Sequence, residues 1–465
     1  MNTHNIVKLF ENSVDSIKGE LSTFYNLEEQ SQKIEIYRKT LSYICNFMPE
    51  NTRDGKLQGN SKNVTTVKAL LEPSKDIASN QVKTTEKLLT ISDLNALFQV
   101  FLIRNAGQER CDFEKTELEG ESKELLAEME KFNETQLKKN QIEPAEMNNS
   151  VSVILGATRG TMERYIDAIK NKEFKRNIIL TGNRPFFENE DTVENIMKMI
   201  CEKNPNLTEE KQGKIAQAIE DAKKDKTSTD TNIKRAIMCI KIYDIIDGGG
   251  RVAEFENKLT APSEARNFLV SMVYKDCNLI PTEYDFACNL SKDLPNTDVL
   301  MTPAKKNQDR TTTDDTIGDF IDKYSFKGKN PICFVGDMDS LSRQMINIEK
   351  TLKDSGIENP IKQFGIAKDG DKTNKDLQTL LDEEARALYS INLIVEKNKE
   401  TASKVTTQDM TLSEINKAFG LPLDYNIKSD SGLKEFDKHR NNYLDLQVSE
   451  KDLQASKNKA NKIEI

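Results

Sequence analysis

Two kinds of hydrophobic pattern alternate in the middle of this 465-residue chain. Short apolar runs, Val151–Leu155 and Ile178–Leu180, each break at a polar turn, the first at Gly156 and the second around Gly182. Between the two runs, apolar residues recur at helical spacing. Continuous apolar runs joined by a helix predict a βαβ unit with parallel strands. In such sheets small ligands bind beyond the carboxyl ends of the strands, where both glycines fall.

The same alternation resumes further along the chain. Short strands are predicted at Asp298–Met301, at Pro331–Val335 and within Pro360–Ala367, with helices between them. Residues 186–260 interrupt the pattern with helical periodicity alone. We therefore predict an α/β fold over residues 149–370, a Rossmann-like, doubly wound and mostly parallel sheet that carries a helical insert.

Charged helices flank this domain on both sides. Residues 1–148 show apolar positions at helical spacing and form a predicted N-terminal helical region. Residues 371–465 form a predicted C-terminal helical region with a Lys/Asn/Ser-rich tail. More than half of the chain thus lies outside the α/β pattern. That proportion leaves room for a protein partner bound through the helical regions.

Composition narrows the function classes. The net charge of −9 disfavours nucleic acid as a partner. No signal segment opens the chain and no apolar run is long enough for a membrane span, so we predict a cytoplasmic protein without a membrane partner. Seven cysteines without metal-ligand spacing indicate free thiols in a reducing compartment. With only two histidines, a His-centred triad or a multi-His metal site is not expected.

Each predicted strand leads into a short polar cluster. Four arginines in or just after these clusters are predicted to converge on one anionic ligand: Arg159, Arg184, Arg310 and Arg343. Glycine would allow close backbone approach, and the other polar residues would bind the ligand: Gly156, Thr158, Gly182, Asn183, Thr313, Asp337 and Ser340. Glu264 or Asp337 would serve as general base. The competing interpretation is that these clusters are ordinary turns and helix caps.

Several of these stretches resemble a known family. They are VILGA at 153–157, IILTGN at 178–183, Ser263-Glu264-Ala265, the turn at 310–315 and the strand and helix start at 331–343. Together they resemble the YdcF-like family over residues 151–368. The resemblance implies a Rossmann-like domain with a polar pocket at the strand ends, for which nucleotide-like or S-adenosylmethionine ligands have been considered. Ser340 stands where the family pattern has histidine, and the 310–315 turn lacks the family's asparagines.

Two other functions remain open. An interaction protein, such as an effector secreted by an intracellular bacterium, would act through its charged helices and leave the pocket degenerate. The run Gly336-Asp337-Met338-Asp339 resembles the Asp-x-Asp signature of haloacid dehalogenase-type phosphatases. That resemblance implies a magnesium-dependent phosphatase in which Asp337 attacks phosphorus and Asp339 is the general acid/base, with Asp371 and Asp376 imitating the downstream acidic motif.

Overall fold

The computed structural model describes most of the chain. The described residues are 3–47, 61–71, 88–102, 120–157, 159–185, 192–224, 231–258, 262–276, 278–305, 311–326, 329–367, 374–406 and 463–464. The strands are β1 (Val151–Leu155), β2 (Arg176–Thr181), β3 (Thr297–Met301), β4 (Tyr324–Ser325), β5 (Ile332–Asp337), β6 (Ile361–Ile366) and β7 (Ile463–Glu464).

Helices account for most of the rest of the described chain. Those before β1 are α1 (Thr3–Leu21), α2 (Leu27–Phe47), α3 (Ser61–Leu71), α4 (Ile91–Phe101), α5 (Gly120–Lys139) and α6 (Pro144–Met147). Those between β1 and β3 are α7 (Arg159–Ile169), α8 (Val193–Lys203), α9 (Glu209–Lys224), α10 (Thr231–Asp247), α11 (Arg251–Lys258), α12 (Pro262–Asp276) and α13 (Glu283–Leu290). Those after β3 are α14 (Thr313–Lys323), α15 (Met338–Asp354) and α16 (Asn374–Thr406).

Five parallel strands form the central sheet in the order β3-β2-β1-β5-β6. Val151 of β1 pairs with Arg176 of β2 on one side and with Ile332 of β5 on the other. The chain thus runs outward from β1 to β3 and then returns to the opposite side of β1. That return creates a switch point between β1 and β5, the mark of a doubly wound sheet. The predicted α/β, Rossmann-like fold class is confirmed.

Helices cover both faces of the sheet, which is why its three inner strands, β1, β2 and β5, are buried at nearly every position. On one face, Ile154 and Val335 share a core with α7, α13 and the helices between β2 and β3. On the other face, Val153 and Phe334 pack against α14 and α15. The sheet-facing side chains of α15 recur every three or four residues: Leu341, Met345, Ile348 and Leu352.

The helices at the two ends of the chain form one unit. Described residues of α1 to α5 and of α16 share a single hydrophobic core, with Tyr37 of α2, Phe98 of α4 and Leu388 of α16 fully buried in it. Both α5 and α16 also pack against α15. The helical unit therefore lies on the outer side of a helix that itself covers the sheet.

The edge strand β6 is protected by the segment that follows α5. The Gln363 N–H donates to the Asn140 carbonyl at 2.7 Å, and the Ile142 N–H donates to the Gln363 carbonyl at 3.2 Å. These bonds pair the exposed side of the edge strand and bring the end of α5 beside α15. Within the described chain, no helix is long and apolar enough to cross a membrane.

Candidate functional site

Asp337 lies at the switch point, where β5 ends and α15 begins. Its Oδ1 accepts a hydrogen bond from the Arg164 guanidinium at 2.5 Å. Its backbone N–H donates to the Tyr165 hydroxyl at 2.8 Å. Burial raises the pKa of Tyr165, and the charge of Asp337 adds to the shift. The side chain and the backbone of the candidate general base are therefore both held by residues of α7.

Both predicted glycines stand where a larger side chain would clash with protein. A Cβ on Gly156 would lie 2.6 Å from the Leu180 carbonyl oxygen and 3.2 Å from the Thr181 Cα. A Cβ on Gly182 would lie 3.1 Å from a carboxylate oxygen of Glu283. Strand packing and a neighbouring carboxylate thus account for these glycines without a ligand.

The polar residues after β2 and β3 form ion pairs and hydrogen bonds with nearby protein groups. Arg184 forms an ion pair with Glu283 of α13. Asn183 is buried, and its side-chain oxygen accepts from the Ala304 N–H at 3.1 Å. Thr313 is the first residue of α14, and the preceding Thr312 caps that helix in a reciprocal arrangement with Asp315. Much of this cluster therefore serves as strand-end packing and a helix cap.

The structure does not bring Arg184 and Arg343 together. Arg343 lies on the outer face of α15, where its Nε donates to Glu383 of α16 at 2.7 Å. Thr158, Arg310 and the side chain of Arg159 lie outside the described residues. Ser340 is half-buried in the first turn of α15, and Glu264 is exposed at the start of α12.

The acidic residues proposed for a phosphatase lie on different elements. Asp337 is paired with Arg164, Asp376 lies in the first turn of α16, and Asp371 lies outside the described residues. In the described part of the chain, no three His, Cys, Asp or Glu side chains form a group suited to a metal ion.

Arg343 leads to a different site, a cavity of about 230 Å³ that we call the junction cavity. It lies between the outer face of α15 and the helical unit. Its apolar wall includes Phe24, Tyr25, Met129, Phe132, Ile346, Leu380, Ala387 and Ile394. Its polar wall includes Lys33, Gln136, Lys139, Asp339, Ser342, Arg343, Glu349, Lys350, Lys353, Asp354, Gln363, Glu383 and Glu384.

A buried ion pair forms part of the cavity wall. The Lys33 ammonium lies 2.8 and 2.6 Å from the two carboxylate oxygens of Glu384, and the two side chains are only 3% and 8% exposed. The same ammonium lies 4.2 Å from the centre of the Phe132 ring. Burial raises the pKa of Tyr25, and the negative charge of Glu384 adds to the shift. Lys33 and Glu384 are therefore expected to stay together, because each buried charge is stabilised mainly by the opposite charge of the other.

Glu349 differs from the other acids of the cavity. Among the residues that the structure describes, it forms no ion pair, whereas Glu383, Glu384 and Asp354 each have one. The Glu349 side chain is exposed at the edge of the cavity, and neighbouring protein crowds its carboxyl group. This desolvation raises its pKa, against the opposing charges of Lys139 and Lys353. The cavity thus holds a carboxyl group that is costly to ionise.

Three polar atoms of the cavity wall have no hydrogen-bond partner in the described structure, and one of them is the side-chain nitrogen of Gln136. Gln363 is 3% exposed, and its side-chain oxygen accepts no hydrogen bond. The Ser342 hydroxyl is likewise buried without a partner. A buried polar atom without a partner costs about 1–3 kcal/mol, so a molecule that pairs one of these atoms would gain binding free energy.

Replacing Glu349 with glutamine is expected to stabilise the ligand-free protein at neutral pH. A carboxyl whose pKa is raised by folding favours the native state fully below its unfolded pKa of about 4.3 and loses that contribution as pH rises through the folded pKa. The variant should therefore gain over the parent as pH rises through this window. Urea unfolding at about pH 4 and pH 7 measures the difference. A gain that is the same at both pH values would contradict the assignment.

Sequence reasoning missed the junction cavity, although α15 carried a signal. The sheet-facing series of α15 fixes the helix phase, and Ser342, Ile346, Glu349 and Lys353 recur at the same spacing on another face. Comparison with protein-family models, with curated proteins and with solved structures finds no match to this chain. The resemblance to the YdcF-like family stays a prediction, and the function is argued from the two sites above.

Proposed function

We propose that this protein binds a small molecule in the junction cavity. The observation that carries the proposal is the buried, unpartnered side-chain oxygen of Gln363 in the wall of a cavity of about 230 Å³. The atom lies beside an enclosed space that other polar and apolar side chains also line. A ligand that donates a hydrogen bond to Gln363 removes the cost of leaving that oxygen unpaired.

The composition of the wall agrees with this role. Ligand sites are mostly apolar concave surfaces with a few polar groups that fix orientation. Here aromatic and aliphatic side chains form one wall, while Ser342 and Gln363 each carry a buried polar atom without a hydrogen-bond partner among the described residues. The site also lies between two structural units, where ligands are commonly found.

The carboxyl edge of the sheet is the second candidate. The observation in its favour is the switch point between β1 and β5, beside Gly156 and Asp337. The resemblance to the YdcF-like family implies an anionic, nucleotide-like or S-adenosylmethionine-like ligand there. Two ion pairs disfavour an anionic ligand at this edge, because Arg184 is already paired with Glu283 and Arg164 with Asp337.

A tryptophan reporter separates the two candidates, because the chain contains no tryptophan. Phe24 is half-buried and lines the cavity, so Phe24→Trp places a single fluorophore beside the ligand. Phe268→Trp is the matched control, a half-buried phenylalanine on α12 that packs against Phe255. The panel comprises free amino acids, small amines, small carboxylic acids, AMP, ATP and S-adenosylmethionine. A compound in the cavity is expected to change the emission of the first reporter and leave the second unchanged.

Alanine-to-leucine substitution adds an isopropyl group to the side chain. Placing that group in one site at a time shows which site binds the ligand. Ala387 lines the cavity and is 4% exposed, so Ala387→Leu should weaken binding by at least about tenfold without loss of the fold. Ala157→Leu, its matched control, crowds the carboxyl edge of β1 instead. Isothermal titration of each variant measures both affinities. If only Ala157→Leu loses binding, the ligand site is the carboxyl edge of the sheet and not the junction cavity. If no compound of the panel binds, the proposal is refuted.

A further inference from the structure

The buried polar atoms that lack a partner in the wall of the junction cavity all belong to neutral side chains. They are the side-chain oxygen of Gln363, the side-chain nitrogen of Gln136 and the hydroxyl of Ser342. The Gln363 oxygen can only accept a hydrogen bond, the Gln136 nitrogen can only donate one, and the Ser342 hydroxyl can do either. A molecule that pairs all three must therefore carry both a donor and an acceptor.

The fold directs the Gln363 side chain toward this cavity. Successive side chains of β6 point to opposite faces of the sheet. Ile361 packs on the face that α15 covers, whereas Phe364 packs in the core on the other face. Gln363 therefore shares the face of Ile361 and is 3% exposed there. Its backbone N–H donates to the Asn140 carbonyl at 2.7 Å, so the position of this residue is fixed by backbone pairing.

The buried charges of the cavity wall are already neutralised within the protein. Each cation that the structure describes there as buried or half-buried faces an acid: Lys33 with Glu384, Arg343 with Glu383 and Lys350 with Asp354. Asp339 is half-buried and has an interaction of its own. The other charged lining residues are exposed, so bulk water solvates them: Lys139, Glu349 and Lys353. An ion that entered the cavity would lose hydration and find no unpaired buried charge among the described residues.

Resting on the proposed function, we infer that the ligand is a small uncharged molecule with an apolar body and a polar end that both donates and accepts hydrogen bonds, as a carboxamide or an alcohol does. Its N–H or O–H donates to the Gln363 oxygen. Its own oxygen accepts from the Ser342 hydroxyl and the Gln136 amide. The apolar body lies against the rings of Phe24 and Phe132.

Size and charge exclude the neighbouring classes of ligand. The cavity of about 230 Å³ is smaller than the roughly 300–1,000 Å³ pockets that hold drug-sized ligands, so a dinucleotide or a peptide is too large. A small carboxylate or a small amine fits, but its charge has no buried counter-charge to meet.

Five probes of nearly equal shape join the panel and test each requirement separately. Two are uncharged and carry a donor and an acceptor, 4-methylpentanamide and 4-methylpentan-1-ol. One is uncharged and only accepts, 5-methylhexan-2-one. Two are charged, 4-methylpentanoate and 4-methylpentylamine. Isothermal titration of the unmodified chain measures the affinities, and the Phe24→Trp emission shows which probes enter the cavity.

The amide, the alcohol or both are expected to bind at least about tenfold more tightly than the ketone, the carboxylate and the amine. The ketone loses the hydrogen bond to Gln363, and the two ions lose hydration. The tighter of the amide and the alcohol identifies the polar group of the ligand. If the ketone or either ion binds as tightly as both of them, the inference is overturned.

Variants assign the hydrogen bonds to their residues. Gln363→Met removes the acceptor and keeps the length of the side chain, so it should weaken the amide about tenfold and leave the ketone nearly unchanged. Ser342→Ala should weaken the amide and the ketone alike, because both carry the carbonyl oxygen. Gln344→Met, at a half-buried glutamine of α15 outside the cavity lining, is the matched control and should change neither affinity.

The outcome for the amide decides the assignment. An amide affinity that is unchanged in both Gln363→Met and Ser342→Ala would show that these side chains do not bind it. Should Gln363→Met fail to fold, the smaller change Ser342→Ala still tests the site.

The two proposals fail in different ways. If charged compounds of the panel change the Phe24→Trp emission and the amide and the alcohol do not, the uncharged ligand is wrong and the junction cavity remains a ligand site. If no compound changes that emission, both proposals are refuted.

Discussion

Lys33→Met is expected to lower the free energy of unfolding by about 3–5 kcal/mol. Methionine keeps the length and the apolar stem of the side chain but removes the ammonium. The Glu384 carboxylate, 8% exposed, then loses the cation that lies 2.6 Å away. A buried charge without a counter-charge is among the costliest single defects in a folded chain. Urea unfolding followed by circular dichroism measures the loss.

The loss should depend on the charge of Glu384. Protonation of a stranded carboxylate removes part of the penalty, so the deficit of Lys33→Met is expected to shrink as pH falls. The double variant Lys33→Met/Glu384→Leu removes both charges and should recover most of the stability, because a buried pair is often no better than apolar residues of similar volume. The cycle of single and double variants isolates the coupling between α2 and α16.

An exposed ion pair on the same helix is the control. Arg38 and Glu35 of α2 lie 2.5 Å apart with side chains 40% and 41% exposed. Arg38→Ala is therefore expected to cost at most about 1 kcal/mol. If Lys33→Met costs no more than Arg38→Ala, the Lys33–Glu384 pair is not what joins the N-terminal helices to α16.

The fold of the α/β domain was predictable because its signals are local. A strand buried on both faces is mostly apolar, and Val151–Leu155 is buried at all five positions and polar only at Ser152, which donates to the Asn177 side chain. The glycine after it marks the turn into α7. These features lie within a few residues of one another, so the periodicity of a single sequence is enough to find them.

The orientation of Arg343 shows why closeness in sequence to a strand end does not place a side chain at that end of the sheet. Arg343 follows Leu341 by two residues, which is about 200° around a helix of 3.6 residues per turn. With Leu341 facing the sheet, Arg343 must face away from it, toward α16. Sequence proximity to the end of β5 suggested convergence on the strand ends. The phase of the apolar series in α15 already predicted the opposite face.

The junction cavity was beyond single-sequence reasoning for a different reason. Lys33 and Glu384 are separated by 351 positions, and no local pattern pairs them. The outer face of α15 is mostly polar, with Ser342 and Ile346 half-buried and Glu349 and Lys353 exposed, and a polar helix face in a sequence indicates contact with solvent. Only the packing of α5 and α16 on α15 encloses that face, and this packing depends on contacts between distant parts of the chain.

Gly156→Ala is expected to destabilise the protein by about 3 kcal/mol, the upper end of the usual cost of overpacking. The new methyl group would lie 2.6 Å from the Leu180 carbonyl oxygen, a backbone atom rather than a flexible side chain. The β2 backbone is fixed between β1 and β3, so it cannot move away without breaking ladder hydrogen bonds. Thermal and urea unfolding of the variant measure the cost.

Gly160→Ala is the control, since a Cβ on Gly160 meets nothing within 4 Å. Gly160 lies in the first turn of α7, where alanine favours the helix by up to about 1 kcal/mol, so this variant should be equal to the parent or more stable. The pair also tests why Gly156 is glycine. A stable Gly156→Ala protein that loses affinity for a ligand would show that the glycine makes room for that ligand. Loss of stability in the absence of any ligand would show that it makes room for β2.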